Sequence, residues 1–244
     1  MNSNASASDT RERTSAAEVL CPDEVDGATA ARAAMYRMLA SLYFAELTEE
    51  KVRELAGVKL SGMDFGDELM AEGMHDIERY LRRVNSGTRQ ELACDYAHSM
   101  LGAGAYEQRR ATPFESVFTS DSGLLMQDAR DDVYRLFCQE HLEAREELRI
   151  PEDHLSFIFE FMAILCDRMR GAVACGFHEE AARLADVQKE LWEHHLANWI
   201  DAYCNVLDEV ALTRFYRGVA KVTRAFVHAD GNFIDATRAA LAAN

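Results

Sequence analysis

Proline is scarce in this chain. Its 244 residues include three prolines, Pro22, Pro113 and Pro151, so long stretches contain no residue that would interrupt a helix. Valine and isoleucine are few beside alanine, leucine, glutamate and arginine, a composition that favours helix over strand. No stretch longer than a few residues alternates apolar and polar side chains as a half-buried strand does. The sequence therefore predicts an all-α protein.

Basic residues are also in short supply. The chain has 26 lysines and arginines against 42 aspartates and glutamates, which gives a formal net charge of −16. A protein with this charge repels nucleic acid and anionic membranes, whereas it attracts cations, including basic peptides. We therefore expect no nucleic-acid partner.

Several signals of location and of metal binding are missing. The first ten residues are polar, with no basic region before an apolar core, so they do not form a signal peptide. The apolar run at 161–166 is too short to span a bilayer. The six cysteines include no Cys-x-x-Cys pair, which indicates reduced thiols and not a zinc site or a disulfide framework. We expect a cytoplasmic protein with no metal, no other cofactor and no stable membrane insertion.

Common catalytic motifs are absent as well. The sequence contains no P-loop, no glycine-rich dinucleotide loop and no Gly-x-Ser-x-Gly nucleophile elbow. His194 and His195 are neighbours, and neighbouring side chains on a helix point about 100° apart, so they cannot share one metal. We therefore predict that the protein is not an enzyme.

Apolar residues recur with helical spacing through most of the chain. Residues 28–47 carry one such stripe, and residues 155–169 carry a broader one that predicts a central core helix. Thr48 is the predicted N-cap of a following helix. Residues 1–27 show no stripe and are predicted to be a disordered tail. Residues 28–244 are predicted to form one domain of about ten helices.

Three short segments carry residues that point to a ligand. In the first, Tyr96 and Met100 share one face of a helix, a spacing that plain core packing also explains. The second begins at Pro113 and runs Phe114-Glu115-Ser116-Val117-Phe118. Its aromatic rings beside a carboxylate suit a peptide that contains arginine and apolar residues. Loop aromatics that pack back into the core would give the same pattern.

The third segment is Pro151-Glu152-Asp153-His154, directly before the broad apolar stripe. We expect Pro151 to occupy the first turn of that helix, where its missing N–H costs nothing. The two acids are then stabilised by the exposed N–H groups of the helix. A plain helix start without any ligand explains the same residues. A hinge is predicted just before this helix.

In this order, the three segments resemble the TorD/DmsD family of cytoplasmic chaperones for molybdoenzymes. Tyr96 and Gly102 match the ends of the Tyr-x-x-Leu-Phe-x-Gly stretch of the family, whose Leu and Phe are replaced here by Ser and Met. Residues 113–118 match the Pro-x-Glu-Ser-Val-aromatic element, and residues 151–154 match the Pro-x-Asp-His element. The resemblance extends over most of the chain and implies a TorD-like helical fold.

The resemblance also implies a function. Members of the family bind the twin-arginine signal peptide of a molybdopterin oxidoreductase and hold its apo form until the cofactor is inserted, before export. The side chains predicted to bind the peptide are those of the three segments: Tyr96, Met100, Phe114, Glu115, Ser116, Phe118, Pro151, Asp153 and His154. Arginines of the peptide would pair with carboxylates such as Glu115 and Asp153. The protein would act as a monomer or as a homodimer that swaps helices about the hinge.

Two other functions remain open from the residues alone. A helical enzyme could use Asp153 and His154 as acid and base, which tests of metal content and nucleotide hydrolysis would detect. The loop at 102–120 and the start of the helix at Pro151 are predicted to line one groove. A plain helical adaptor would use this groove to bind another folded protein, and it would ignore a free twin-arginine peptide.

Overall fold

A computed structural model of the protein describes residues 22–59, 66–101 and 110–242. These residues form a single all-helical domain, and none of them lies in a β-strand. The ten α-helices of the described part are α1 (Pro22–Phe44), α2 (Glu49–Gly57), α3 (Glu68–Leu81), α4 (Thr88–Tyr96), α5 (Glu115–Thr119), α6 (Asp128–Gln139), α7 (Leu155–Ala174), α8 (His178–His195), α9 (Ile200–Val210) and α10 (Arg214–Ala242). The predicted all-α fold is confirmed.

Helix α7 lies at the centre of the fold. It packs against α1 and against α8. Most of its apolar side chains are buried, and Leu155, Ile158 and Phe159 are completely buried. The broad apolar stripe in the sequence therefore identified the central core helix correctly, because a helix that packs against neighbours on several sides needs a wide apolar surface.

Helix α10 is the second element that organises the domain, and it contacts α3, α8 and α9. It meets α3 at two facing glycines. A Cβ atom on Gly73 would lie 2.8 Å from the carbonyl oxygen of Gly218, and one on Gly218 would lie 2.7 Å from the carbonyl oxygen of Gly73. Such distances leave no room for a side chain at either position, so the two backbones can touch only because both residues are glycine.

A buried ion pair joins α1 to α10. The guanidinium of Arg32 donates to both carboxylate oxygens of Asp230, with 2.9 Å between Nη2 and Oδ2. The hydroxyl of Tyr36 donates to the same Oδ2 atom at 2.7 Å. The Asp230 side chain has no exposed surface. Its charge is tolerated because three hydrogen bonds and an opposite charge compensate for the lost hydration.

The N-terminal helix starts inside the segment predicted to be a tail. Helix α1 begins at Pro22, and proline is well tolerated in the first turn because its missing N–H is not needed there. The predicted boundary between the tail and the helical domain, at residue 27, therefore lies a few residues too far along the chain. Residues 1–21 lie outside the described residues, and their disorder stays a prediction. The side chain of Thr48 accepts a hydrogen bond from the backbone nitrogen of Lys51 at 3.2 Å, so the predicted N-cap of α2 is confirmed.

The start of α7 differs from the prediction. The helix begins at Leu155, and His154 is its N-cap, with Nδ1 accepting from the backbone nitrogen of Ser156 at 3.2 Å. Pro151 thus lies before the helix and not in its first turn, and Asp153 does not cap it. The residues before Leu155 form a turn in which His154 N donates to Pro151 O at 3.2 Å. The hinge predicted here, and a dimer that swaps helices about it, stay predictions.

No helix in the described part of the chain is both long enough and apolar enough to cross a membrane. The cysteines in that part form no disulfide; they are Cys94, Cys138, Cys166, Cys175 and Cys204.

Candidate functional site

Two of the three motif segments lie side by side. The backbone nitrogen of Glu115 donates to the carbonyl of Asp153 at 3.1 Å, and that of Leu155 donates to the carbonyl of Pro113 at 2.9 Å. These bonds form an isolated antiparallel bridge in which Phe114 lies opposite His154. The structure therefore brings together two segments that are far apart in the sequence.

Asp153 links the two segments a second time through its side chain. Its Oδ2 atom accepts a hydrogen bond from the backbone nitrogen of Ser116 at 2.9 Å. It therefore satisfies one of the free N–H groups at the start of α5, as an N-cap side chain does. Both residues are completely buried. The Oδ1 atom is also buried and has no hydrogen-bond partner among the described residues. Asp153 thus positions α5 and does not face solvent.

His154 is enclosed by aromatic rings. The ring centroid of Phe114 lies 4.7 Å from that of His154 at an interplanar angle of 83°, and the ring of Phe157 lies 6.0 Å away. Burial lowers the pKa of His154 to about 4, because a buried site disfavours the charged imidazole. A neutral, buried histidine that caps α7 supports the fold and is poorly placed for acid–base chemistry.

The first motif segment is part of the core. Tyr96 and Met100 are 3% and 1% exposed. The Tyr96 hydroxyl donates to the carbonyl of Tyr43 at 3.0 Å. The neighbouring Asp95 accepts from the backbone nitrogen of Thr213 at 2.7 Å, directly before α10. Tyr96 and Met100 are therefore packed in the core. Gly102, at the end of the motif, lies outside the described residues.

Glu115 is the predicted site residue that lines a cavity beside α5. Its Oε2 atom lies 2.9 Å from Nδ1 of His195, and its Oε1 atom lies 3.5 Å from Nδ2 of Asn198. Glu115 is 2% exposed and His195 is 6% exposed. The pair joins α5 to the C-terminal end of α8, and Glu115 is the most buried of the described residues that line the cavity.

This cavity has a volume of about 500 Å³ and is lined by α5, α6, the end of α8 and the residues that follow it. Its lining includes four carboxylates and one guanidinium: Glu115, Asp128, Asp132, Glu190 and Arg135. Arg135 donates to Asp132, whereas Asp128 and Glu190 are exposed and have no ion-pair partner in the described part of the chain. This acidic cavity therefore attracts a cationic ligand.

Most of the acidic cavity was not predicted from the sequence. His195 was considered only as a metal ligand beside His194, and Asp128 and Glu190 belong to no motif. No local pattern joins Glu115 to His195, because they are 80 residues apart. Only the folded chain, in which the start of α5 lies beside the end of α8, brings them together.

The remaining predicted residues lie elsewhere. Phe118 is half-buried, and its ring lies 5.5 Å from that of Trp199 and 5.6 Å from that of Tyr203. Pro151 lines a different cavity together with Arg130. The predicted site residues therefore do not form one continuous surface.

The described residues offer no evident metal centre. Within 22–59, 66–101 and 110–242, no three side chains of histidine, cysteine, aspartate or glutamate are grouped as metal ligands. The prediction that the protein carries no metal stays a prediction.

The sequence matches one protein family and several named proteins. The family described as nitrate reductase delta subunit matches residues 67–205, more than half of the chain. Proteins named chaperone protein TorD match over greater lengths. That of Vibrio cholerae serotype O1 is 28% identical over 84% of this chain and 92% of its own length. That of Photobacterium profundum is 26% identical, over 83% and 94%, and that of Shewanella pealeana is 24% identical, over 87% and 93%.

These findings confirm the resemblance that the three motif segments indicated. The relatives are named as chaperones and not as enzymes, which supports the prediction that the chain is not an enzyme. The chain belongs to the nitrate reductase delta subunit family, and it is similar over most of its length to the TorD chaperones.

Proposed function

We propose that the protein is a chaperone for the maturation of a molybdoenzyme, and that it binds the twin-arginine signal peptide of that enzyme in the acidic cavity. The observation that carries this proposal is the position of Glu115. This residue belongs to a motif of the family, and it is the most buried of the described residues that line a cavity whose rim holds unpaired carboxylates. Family membership supports the role of a chaperone, and the cavity supports the choice of ligand.

Charge and geometry favour arginine as the group that enters the cavity. A guanidinium presents several N–H donors in a planar fork that matches a carboxylate. Asp128 and Glu190 at the rim would attract the peptide, and Glu115 would accept a hydrogen bond from one arginine. Exposed ion pairs contribute about 0.2–1 kcal/mol, whereas hydrogen bonds to charged groups contribute about 1.5–3 kcal/mol. Glu115 should therefore contribute more to the affinity than either rim residue.

The other motif residues would act mainly by positioning. Asp153 and Ser116 hold the start of α5, and with it Glu115, against the turn before α7. Phe114 and Phe118 are both half-buried, and their accessible edges are available for the apolar part of a signal peptide. In this role the protein would hold the apo form of its client in the cytoplasm while the cofactor is inserted, and so delay export.

Calorimetry with a synthetic twin-arginine peptide tests the proposal. We expect Glu115→Gln to weaken binding by roughly ten-fold, because its amide oxygen still accepts a hydrogen bond but the variant lacks the carboxylate charge and the second acceptor oxygen. Asp128→Asn and Glu190→Gln should each weaken binding by roughly two- to five-fold, with a smaller effect at high salt. Thermal unfolding of Glu115→Gln shows whether the variant remains folded.

Two controls make the result specific. Asp208→Asn removes the same charge from an exposed position on α9 and should bind as the wild type does. A twin-lysine peptide should bind more weakly. An ammonium group cannot form two parallel hydrogen bonds with one carboxylate, as a guanidinium can. If Glu115→Gln and both rim variants bind the peptide as tightly as the wild type, the peptide binds elsewhere on the protein. A wild-type protein that ignores the peptide would favour a plain adaptor.

A further inference from the structure

A second cavity lies beside a different face of α6 and has the opposite charge. It has a volume of about 270 Å³. We call it the basic cavity, and it is formed mainly by apolar groups and guanidiniums: Met126, Ala144, Ile150, Arg130, Arg145 and Arg149. Arg130 projects from α6 toward this cavity, whereas Asp128 and Asp132 of the same helix line the acidic cavity.

The charge of the basic cavity is not neutralised by its own lining. Glu152 is the one acidic residue among the described residues that line it, and it is paired with Arg130 through two hydrogen bonds of 2.6 and 3.1 Å. Arg145 and Arg149 are exposed, and neither has an ion-pair partner in the described part of the chain. Two guanidiniums are thus free for an anionic group, in a chain whose net charge is −16.

Several exposed apolar side chains are close in the sequence to residues that line the cavity. Leu124 and Leu125 directly precede Met126, Leu148 directly precedes Arg149, and the ring of Tyr134 holds the guanidinium carbon of Arg130 at 5.0 Å. Their exposed fractions are 61% for Leu124, 42% for Leu125, 59% for Met126, 43% for Tyr134 and 37% for Leu148. Met126 lines the cavity itself, so an exposed apolar side chain and guanidiniums share one wall, a combination typical of a surface that binds another protein.

The backbone of the cavity wall is also held in an uncommon conformation. Met126 and Arg149 have φ values of 60° and 50°, in the left-handed region that residues other than glycine adopt only at a cost. Both residues line the same cavity.

We propose that the basic cavity is a docking site for a segment of a partner protein in which a carboxylate side chain stands beside an aliphatic or aromatic one. The two free guanidiniums supply the complement for the carboxylate, and the exposed apolar groups supply the complement for its neighbour. The cavity is smaller than the roughly 300–1,000 Å³ of a typical small-molecule pocket, which suits one or two side chains. A twin-arginine peptide would be repelled here, so the inference goes beyond the proposed function and does not depend on it.

Fluorescence anisotropy with a defined probe tests this inference. The probe is a soluble peptide in which glutamate and leucine recur side by side in a glycine–serine background, labelled with a neutral dye. We expect saturable binding to the full chain, and binding at least ten-fold weaker for the matched peptide with glutamine in place of glutamate. The double variant Arg145→Gln/Arg149→Asn should also bind at least ten-fold more weakly. Asn is chosen at 149 because it tolerates a positive φ.

Matched variants show whether the effect depends on any lost positive charge or on a residue of the basic cavity. Arg135→Gln removes an exposed guanidinium from α6 on the side of the acidic cavity and should leave the affinity for the probe unchanged. Met126→Asn, at a residue that lines the cavity, should weaken it several-fold by removing an exposed apolar contact. Equal binding of the glutamate and glutamine peptides, no saturable binding, or an unchanged affinity in the double variant would overturn the inference. So would binding of inorganic phosphate at these arginines when the glutamate peptide does not bind.

The same double variant is then titrated with the twin-arginine peptide. The affinity should equal that of the wild type, because neither arginine lines the acidic cavity. The two binding sites are therefore tested separately, and failure at one leaves the other result intact. A double variant that lost both ligands would contradict the assignment of two independent sites.

Discussion

The carboxylate of Asp153 accepts a hydrogen bond from the backbone N–H of Ser116, with 2.9 Å between Oδ2 and N. The two residues are 37 positions apart, and the bond joins the start of α5 to the turn before α7. Asp153 therefore acts on the site through the backbone of α5. This positioning role can be separated by experiment from the direct contact with arginine that the sequence predicts.

Asp153→Ala should lower the free energy of unfolding by about 1–3 kcal/mol, because the buried N–H of Ser116 loses its acceptor. Asp153→Asn should cost much less, since its amide oxygen can still accept that bond. Denaturant unfolding measures both. In the positioning role, Asp153→Asn keeps its affinity for a twin-arginine peptide within about two-fold. A loss of about ten-fold or more, with an unchanged unfolding free energy, would instead indicate direct contact.

The stability of the protein should depend on pH through His154. Its pKa in the folded protein is lowered to about 4, while an unfolded histidine titrates near 6.5. As the pH falls, the unfolded chain therefore binds a proton at this histidine before the folded protein does. The contribution of neutral His154 to the free energy of unfolding is complete above about pH 7, and it decreases as the pH drops from about 6.5 to 4. The full effect is about 3 kcal/mol.

Denaturant unfolding at several pH values between those limits measures this dependence. His154→Asn is the matched variant, because Asn can still cap α7 but does not titrate. Its stability should change less steeply with pH. The same slope in wild type and variant would assign the pH dependence to other groups.

Asp230→Ala should lower the free energy of unfolding by about 3–5 kcal/mol, because it leaves the charge of Arg32 buried without a partner. Asp235→Ala is the control on the same helix. Its carboxylate pairs with Lys189 at 2.9 Å and is 54% exposed, so its loss should cost less than about 1 kcal/mol. Equal effects of the two substitutions on thermal unfolding would show that the buried pair does not fix α1 to α10.

Gly218→Ala should destabilise the protein by about 1–3 kcal/mol or more, because the added Cβ would lie 2.7 Å from the carbonyl oxygen of Gly73. Gly171→Ala, in α7, adds the same methyl group where no atom lies within 4 Å. It should stabilise the helix by about 0.5–1 kcal/mol. A comparison of the two unfolding curves checks both expectations, and a neutral Gly218→Ala would mean that α3 and α10 can separate slightly.

The fold could be predicted from the sequence largely because helical periodicity is a local property. The apolar stripe of α7 appears within a few turns, and the residues that it marks are buried. The boundary at Leu155 could not be predicted in the same way. Pro151 fits the first turn of a helix by local rules, but the backbone of Asp153 instead pairs with that of Glu115, far away in the sequence.

The site could be predicted only in part. The motif segments identified Glu115, whereas His195 and the rim residues Asp128 and Glu190 come from α6 and α8, which no motif marks. The sequence also could not distinguish side chains that line the cavity from those that support it. Tyr96, Met100 and Asp153 belong to the motif segments, yet none of them lines the acidic cavity.

Hydrogen–deuterium exchange with and without a twin-arginine peptide shows both whether the peptide binds and whether it binds in the acidic cavity. We expect slower exchange in α5, in α6 and at the C-terminal end of α8, where the backbone borders this cavity. Exchange in α3, which does not line that cavity, should remain unchanged. No protection at saturating peptide, or protection that leaves α5 and α6 unaffected, would contradict binding of the peptide in this cavity.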